Sequence, residues 1–437
     1  MSNFLKDQSS VLKKLGITQL NPMQEEAKLA ISSTASTILL SPTGTGKTIA
    51  FLLPVIGGLT PDNDQIQALI LVPSRELAIQ IEQVCREMGT GYKVNAIYGG
   101  RPIAKDKVEL QHLPAILIGT PGRIADHLRR QAFTSTHIQT LVLDEFDKAL
   151  EVGFESEMKE IISLLPALKK RVLTSATHEA QIPSFVGVSD PIYINYLDQK
   201  KTQLSIQSVT TSSDKKLDTL RDLIFHIGNK PGIVFCNFKN TIQEVSTFLT
   251  QNHIQHGCFY GGMEQKDRER ALIKFRNGTH QILVATDLAA RGIDISELQF
   301  IIHYQLPLKS QEFIHRNGRT ARMHNKGIAY IIDTTDSNLP EFIHNHKVIT
   351  IQNNAQPLLP SNWITLFISG GRKDKISKGD IAGLLMKQGG LSKDQVGGIE
   401  LKQDCAFVAV HPEKNLEFLK KINNTRLKKK KVRITKI

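Results

Sequence analysis

The sequence predicts two doubly wound α/β domains in tandem, followed by a small basic α+β domain. Its 437 residues are too many for one hydrophobic core and are typical of two or three domains. Short apolar runs that end in small or polar residues alternate with helix-like segments, and this alternation restarts after a polar connection at residues 196–203. The last 77 residues hold 17 Lys and Arg against 7 Asp and Glu, which accounts for most of the net charge of +13.

Composition excludes several classes of protein. No apolar run reaches the length of about 18 residues that a membrane span requires, and the N-terminus lacks the pattern of a secretion signal, so we expect a cytoplasmic protein without a membrane partner. The basic C-terminal part indicates a polyanion partner, most readily a nucleic acid. The cysteines are scattered and lack the spacing of a metal or disulfide framework; they are Cys85, Cys236, Cys258 and Cys405.

The first domain contains a phosphate-binding loop. The apolar run at residues 37–40 leads into Ser41-Pro42-Thr43-Gly44-Thr45-Gly46-Lys47-Thr48, and a helix-like segment follows. Glycines allow backbone N–H groups to surround an anion, Lys47 can reach the β- and γ-phosphates, and Thr48 can hold Mg²⁺. The first position of the general pattern is Gly, and Ser41 is small enough to replace it. The alternative is a Gly-rich turn without a ligand.

The later strands of this domain should end at one edge of a parallel sheet, where such folds bind ligands. Asp144 and Glu145 follow one of these strands directly, so Asp144 is expected to hold Mg²⁺ and Glu145 to orient the attacking water. Upstream, the amide of Gln24 could bind an adenine edge or simply start a helix. The expected strands lie at residues 68–72, 95–98, 115–118, 141–143 and 172–173.

The second domain repeats the alternation without a phosphate loop, with strands expected at residues 233–235, 258–260, 282–285 and 301–304. It ends in an arginine-rich segment, His315-Arg316-Asn317-Gly318-Arg319-Thr320-Ala321-Arg322. These arginines either line a solvated helix face or stabilise charge on a triphosphate, as arginines supplied by a neighbouring domain do in other NTPases. In the second case the site would form only when the two domains close.

The first ~345 residues resemble the DEAD-box RNA helicases of superfamily 2, which have two RecA-like domains, because the motifs occur in that family's order. The segment Asp144-Glu145-Phe146-Asp147 matches the motif that names the family, with Phe146 in place of Ala. The resemblance implies adenine contact by Gln24, ribose contact by Asp294, and γ-phosphate contact by Arg319 and Arg322. It assigns coupling of hydrolysis to closure to Asp147, Ser175, Thr177 and His315. It implies RNA-backbone contacts by Pro73, Arg75, Gly100, Thr120, Gly122, Arg123, Gly262, Gln265, Arg268 and Thr286.

The C-terminal part resembles the RNA-binding domain of DbpA-type helicases, an RRM-like fold that anchors that family to a hairpin of 23S ribosomal RNA during large-subunit assembly. The similarity rests on the stretch at residues 369–381. Few aromatic residues are available for base stacking, so recognition is expected to depend on the basic turn with Arg372, Lys373 and Lys375. The run Lys428–Lys431 is either a solvated tail or a second RNA contact. We expect domains at 1–197, 203–350 and 363–437, with a linker at 351–362.

These observations together predict a monomeric, ATP- and Mg²⁺-dependent RNA helicase that remodels structured RNA, with 23S ribosomal RNA or pre-ribosomal large-subunit particles as the expected partner. An ATP-gated RNA clamp or RNA chaperone without productive unwinding is the alternative. A DNA-unwinding enzyme of the same superfamily is a third possibility. Comparing the stimulation of ATPase activity by RNA and DNA distinguishes them.

Overall fold

The computed structural model describes residues 8–177, 181–197, 204–287, 298–320, 327–336, 338–351, 358–411 and 416–437. The chain forms two compact units, one containing most residues up to 203 and the other most residues from 204 onward. The second unit contains both the second α/β domain and the small C-terminal domain.

The first unit is built on a parallel seven-stranded sheet in the order β3-β4-β2-β5-β6-β1-β7. Its strands are β1 (Ser36–Leu40), β2 (Ala68–Leu71), β3 (Val94–Ile97), β4 (Ile116–Gly119), β5 (Thr140–Leu143), β6 (Lys170–Ser175) and β7 (Ile192–Asn195). Its helices are α1 (Gln8–Lys14), α2 (Pro22–Ser33), α3 (Lys47–Gly57), α4 (Arg75–Met88), α5 (Ile103–Leu110), α6 (Pro121–Arg129), α7 (Phe146–Glu151) and α8 (Glu155–Ser163).

Two apolar cores cover the two faces of this sheet, as expected where helices pack on both sides of parallel strands. The predicted strands are present within a few residues of their expected positions. The sequence patterns did not predict β7, an edge strand whose residues are exposed except for Ile194.

The second unit has a second parallel sheet, in the order β10-β11-β9-β12-β13-β8-β14. Its strands are β8 (Leu204–Thr211), β9 (Gly232–Phe235), β10 (His256–Phe259), β11 (Ile282–Ala285), β12 (Phe300–His303), β13 (Gly327–Thr334) and β14 (Lys347–Val348). Its described helices are α9 (Lys216–Ile227), α10 (Lys239–Gln251), α11 (Gln265–Arg276) and α12 (Ser310–Asn317).

The segment expected to be a linker is partly built into this domain. Ile351 and Leu358 pack against the core of the second sheet, and residues 352–357 lie outside the described residues. The polar and Pro-rich composition of this segment gave no indication of these apolar contacts, which depend on the tertiary fold.

The C-terminal domain has an antiparallel sheet in the order β16-β17-β15-β20 and a separate two-stranded hairpin. Its strands are β15 (Ile364–Ile368), β16 (Val396–Leu401), β17 (Ala406–Val410), β18 (Thr425–Leu427), β19 (Lys430–Val432) and β20 (Ile434–Lys436). Its helices are α13 (Lys378–Gly383), which continues into a π-helical turn at Leu384–Gln388, and α14 (Phe418–Ile422).

The chain end differs from the sequence-based expectation. The last residues form two short strands, β19 and β20, and Lys428–Lys431 form the turn and most of the second strand of the β18–β19 hairpin. This run is therefore part of a hairpin and not a free tail, and Lys428, Lys429 and Lys431 are exposed. No helix among the described residues is long and apolar enough to cross a membrane.

Candidate functional site

The phosphate loop connects the end of β1 to the start of α3. Gly44 and Gly46 have φ angles of +79° and +88°, a backbone region that residues other than Gly rarely adopt. The ammonium of Lys47 donates hydrogen bonds to the carbonyl oxygens of Ser41 (2.5 Å) and Pro42 (3.0 Å). Lys47 is thus held inside the loop, at the positive end of α3, where an anion would bind.

Gln24 connects the start of α2 to this loop. Its Oε1 accepts a hydrogen bond from the Asn21 N–H at 3.0 Å, and its Nε2 donates to the Gly46 carbonyl at 3.2 Å. Asn21 in turn caps α2 and donates from Nδ2 to the Thr45 carbonyl at 3.1 Å. Asn21 was not predicted, although its spacing to Gln24 is that of a capping box. Gln24 therefore connects the start of α2 to the phosphate loop and supports the loop.

The acidic residues follow β5, two strands from β1 in the sheet. Burial and the charge of Glu145 raise the pKa of Asp144 to about 6, although Thr174 and Lys47 act in the opposite direction. Glu145 has a φ of +49°, and its buried Oε2 makes no hydrogen bond within the described part of the chain. Adjacent buried carboxylates of this kind fit a divalent cation, which would offset their repulsion. Asp144 and the Thr48 hydroxyl are the side chains that could hold Mg²⁺ here.

Thr174 positions these carboxylates and was not predicted. Its hydroxyl donates to Asp144 Oδ1 and accepts from the Glu145 N–H at 3.1 Å. The strand pairing explains the contact, because Leu143 at the end of β5 is paired with Leu173 on β6. A polar residue inside a buried strand is the sequence feature that could have identified Thr174.

The residues expected to couple hydrolysis to domain closure in the first unit also lie together. Thr177 donates from its hydroxyl to Asp147 Oδ2 at 3.1 Å, and its backbone N–H donates to Ser175 Oγ at 3.0 Å. Burial raises the pKa of Asp147, whereas the nearby Lys148 lowers it. Phe146, next to Asp147, is 2% exposed and belongs to one of the two apolar cores. Phe146 thus points away from the polar edge.

The predicted RNA-contact residues of the first unit lie at the other half of the same edge. They follow β2, β3 and β4, which are neighbours in the sheet, whereas the nucleotide residues follow β1, β5 and β6. Gly100 has a φ of +85°, and a Cβ there would lie 2.3 Å from Nη1 of Arg75. Only Gly lets the Arg75 side chain lie over this turn.

At the start of α6, the predicted contacts differ in their internal roles. Thr120 is the N-cap position, and Pro121 begins the helix. A Cβ at Gly122 would meet no atom of the described residues closer than 3.9 Å, so no contact among them requires Gly there. Such a glycine is typical of a backbone that a ligand approaches closely. Arg123, by contrast, is engaged within the protein, where its Nε donates to Asp106 at 2.6 Å.

The predicted RNA contacts of the second unit gather at the ends of β10 and β11. Arg268 donates to the Tyr260 carbonyl at 3.0 Å, and its guanidinium lies 4.4 Å above the Phe259 ring. Thr286 donates from its N–H to the Phe259 carbonyl at 3.2 Å. The remaining two are at the same edge: Gly262, with a φ of +87°, and Gln265, the first residue of α11.

The arginine-rich segment contains a residue with a structural role that the sequence analysis did not identify. Arg316 is 1% exposed and donates to Asp287 Oδ1 and to Asn237 Oδ1, both at 2.7 Å. These partners follow β11 and β9, so Arg316 connects two strand ends. Neighbouring His315 is buried on α12, and Arg319 follows that helix. Two predicted nucleotide contacts, Asp294 and Arg322, lie outside the described residues.

The basic turn and the basic hairpin of the C-terminal domain are adjacent. Lys430 donates to Asp374 Oδ2 at 2.8 Å, and Lys428 lies 3.0 Å from Asp380 Oδ1. Asp374 also accepts from the Gly371 N–H at 3.0 Å, which closes the turn. The remaining lysines and arginines of this surface are exposed: Arg372, Lys373, Lys375, Lys378, Arg426, Lys429, Lys431 and Arg433.

Comparison with known proteins gives three family matches along the chain. Residues 21–184 match the DEAD/DEAH box helicase family, residues 215–324 the helicase conserved C-terminal domain, and residues 365–436 the DbpA RNA binding domain.

Curated relatives match over nearly the full length. The chain is 32% identical to the ATP-dependent RNA helicase DbpA of Escherichia coli (strain K12), over 97% of this chain and 95% of that protein. It is 29% identical to the ATP-dependent RNA helicase DbpA of Bacillus subtilis (strain 168), over 100% of this chain and 99% of that protein. Among solved structures, Dbp5 of S. cerevisiae bound to RNA and ADP BeF3 is 27% identical, with a TM-score of 0.66 over 74% of this chain and 87% of that chain.

Proposed function

Because the chain belongs to the DbpA-like DEAD-box ATP-dependent RNA helicases, we propose that it remodels structured 23S ribosomal RNA during assembly of the large ribosomal subunit. As a member of this family it is an RNA-dependent ATPase and helicase that binds ATP with Mg²⁺. The proposal concerns which RNA it acts on and which residues carry the steps.

The roles proposed for the nucleotide residues follow their positions. Lys47 and the loop N–H groups would bind the phosphates, and Asp144 and Thr48 would hold Mg²⁺, whose charge would offset that of the phosphates. Glu145, whose Oε2 is buried without a hydrogen-bond partner among the described residues, orients the attacking water. The γ-phosphate contacts are assigned to Arg319 and Arg322, and the ribose contact to Asp294.

The choice of RNA rests on which surface of the C-terminal domain is exposed. The sheet face that carries Phe367 and Phe407 is the one an RRM uses to stack bases. In this chain Phe407 is 3% exposed although it lies outside the domain's own apolar core, and Glu400 is its cross-strand partner. Glu400 accepts from Arg276 of α11 at 2.7 Å.

Further contacts place the same face against the second α/β domain. The Thr365 hydroxyl lies 3.1 Å from Asn277 Nδ2 and 2.8 Å from the Thr279 hydroxyl. Lys402 lies 2.7 Å from Glu269, which follows the predicted RNA contact Arg268 on α11. Most of this face is covered, although Phe367 is partly exposed. The exposed basic turn and hairpin are therefore the main surface that remains for a structured RNA, and phosphate contacts there would anchor the enzyme.

The test is binding and RNA-stimulated ATPase activity with a 23S fragment against unrelated RNA of equal length, at near-physiological salt. Replacing Lys373 and Lys375 with Gln should remove the preference for the 23S fragment, and activity at saturating generic RNA should stay within about twofold because the core contacts backbone. Each lost phosphate contact should also reduce the salt dependence by about 0.7 to 0.9 log units per log unit. Substitution is a cleaner test than a cut after residue 345, which would also remove β14.

The matched control removes two charges from another exposed part of the same domain, by replacing Lys387 and Lys393 with Gln. This control should retain the preference. If the wild-type protein showed no preference for the 23S fragment, the ribosomal proposal would be wrong. Equal stimulation by DNA would favour a DNA enzyme, and hydrolysis without strand separation would favour an RNA clamp or chaperone.

A further inference from the structure

A buried ionic cluster lies behind the predicted RNA-contact residues of the first unit. Its centre is Asp106 on α5, which is 0% exposed. Arg101, Arg123 and His127 surround this carboxylate, and we refer to these four residues as the Asp106 cluster.

The contacts of the Asp106 cluster connect two strand ends. Arg101 directly follows Gly100 after β3, and its Nε lies 2.6 Å from Asp106 Oδ1. On the other oxygen, Oδ2, Asp106 accepts from Arg123 Nε at 2.6 Å and lies 2.9 Å from His127 Nε2. Arg123 and His127 both belong to α6, which begins after β4. One carboxylate thus holds the loop after β3 against the helix after β4.

Local packing requires the same close approach. A Cβ at Gly119, the last residue of β4, would lie 2.7 Å from both the Ile124 side chain and the Ile97 carbonyl. The glycine therefore allows α6 to lie directly against the end of β3.

The guanidinium of Arg123 is directed into the protein. Besides its bond to Asp106, its Nη2 donates to the Arg101 carbonyl at 2.9 Å, and the side chain is 10% exposed. Burial by itself raises the pKa of Asp106, but His127, Arg101 and Arg123 outweigh burial and lower it, which keeps the carboxylate charged. An ion pair buried on both sides does not readily exchange one partner for a phosphate, because the other charge would be left uncompensated.

We infer that Asp106 is a positioning residue for RNA binding, and that Arg123 acts as its internal brace instead of as a phosphate ligand. The Asp106 cluster sets the spacing between the turn at Gly100 and the start of α6 at Thr120–Gly122. Arg75 and the backbone of those two segments then make the RNA contacts at this edge. This inference rests on the proposed RNA role of the edge.

The two roles of Arg123 predict opposite results for Asp106→Asn. If Arg123 is a brace, Asp106→Asn weakens binding of single-stranded RNA about tenfold, which is the size of effect seen when residues that orient metal ligands are lost. The slope of affinity against salt is then unchanged. If Arg123 is a phosphate ligand, Asp106→Asn leaves affinity equal or higher, because it removes a negative charge and releases an arginine. Affinity would be measured on the full chain with a non-hydrolysable ATP analogue and a polyuridine oligomer over a range of salt.

Arg123→Lys provides an independent test, because Lys retains the charge but not the planar fork that contacts Asp106. For a brace, Arg123→Lys weakens RNA binding as much as Asp106→Asn, and the double variant is no worse than either single variant. The RNA concentration for half-maximal ATPase rises, and turnover at saturating RNA stays within about twofold because the nucleotide residues lie at the other half of the edge. Near-normal binding by Arg123→Lys, or a salt slope that Arg123→Gln reduces by about 0.7, would overturn the inference.

Two further variants distinguish a failure of this inference from a failure of the proposed RNA role of the edge. Asp126→Asn neutralises a partly exposed carboxylate of the same helix, paired with Arg130 at 2.8 Å, and should bind RNA normally. Arg75→Gln should reduce the salt slope. If Arg75→Gln had no effect, the proposed RNA role of this edge would fail, independently of Asp106. Where Asp106→Asn does not fold, judged by its melting temperature, the Arg123→Lys and Arg123→Gln measurements decide.

Discussion

Thr174 donates a hydrogen bond from its hydroxyl to Oδ1 of Asp144, and the same hydroxyl accepts from the backbone N–H of Glu145. One buried side chain thus orients both acidic residues of the nucleotide site. The contact joins two strands that lie side by side in the sheet but are about thirty residues apart in the sequence.

Replacing Thr174 with Val should lower both stability and turnover. Val has nearly the same shape but leaves a buried acceptor and a buried donor without a partner, which costs about 1–3 kcal/mol. Melting temperature and RNA-stimulated ATPase activity measure the two effects. Thr174→Ser, which retains the hydroxyl, should recover most of the activity; equal loss in both variants would mean that the methyl group, and not the hydrogen bond, matters.

Lys47→Ala and Glu145→Gln should fail at different steps. Lys47→Ala removes the charge expected at the β/γ-phosphates and should abolish hydrolysis, whereas Glu145→Gln should still bind ATP and retain RNA in a long-lived complex. Nucleotide affinity and the rate of RNA release with ATP present distinguish the two variants. Rapid RNA release by Glu145→Gln would argue against Glu145 as the residue whose chemistry ends the RNA-bound state.

Phe146→Ala, which restores the residue more common in the family, should affect folding more than chemistry. Phe146 is 2% exposed and packs in an apolar core, so the truncation should cost about 3–5 kcal/mol. Below the melting temperature, RNA-dependent hydrolysis should stay within a few-fold of the parent. Phe146→Leu is the control that retains most of the volume. A loss of activity without a change in melting temperature would indicate a direct role for Phe146.

Asp144 should make the nucleotide-free protein less stable as the pH rises. Its pKa is raised from 3.8 to about 6, so the folded state binds this proton more tightly than the unfolded state. The resulting stability is fully present below pH 3.8 and is lost as the pH rises through 6.

Asp144→Asn should therefore stabilise the nucleotide-free protein at pH 7.5, by up to about 2–3 kcal/mol, and this advantage should fall as the pH is lowered towards 4. Urea unfolding of parent and variant in EDTA across this pH range measures it. Adding Mg²⁺ with a non-hydrolysable ATP analogue should reduce the difference, because a cation offsets the charge in the parent only. A difference independent of pH would contradict the shifted pKa.

Local sequence patterns were sufficient to predict most strands and the residues at their ends. The run before Ser41 and the run before Asp144 each end in polar residues, and parallel strands necessarily bring such ends to one edge of a sheet. The same reasoning did not reveal β7, β8, β13 and β14. In β8 and β14 most residues are exposed or partly exposed, so burial, which produces the hydrophobic pattern, is weak there, whereas β7 and β13 are apolar in sequence and were missed.

The sequence by itself determined the order of the domains, the family, the phosphate loop and the concentration of positive charge near the C-terminus, because each depends on residues close together in the chain. Only the tertiary structure decided which charges pair. Arg123 faces Asp106, Arg316 faces Asp287, and Lys428–Lys431 form a hairpin beside the basic turn instead of a free tail. An arginine has the same local pattern whether it binds a phosphate or a buried carboxylate. The outcome depends on which acidic group the fold places within about 3 Å, and no spacing along the chain encodes that distance.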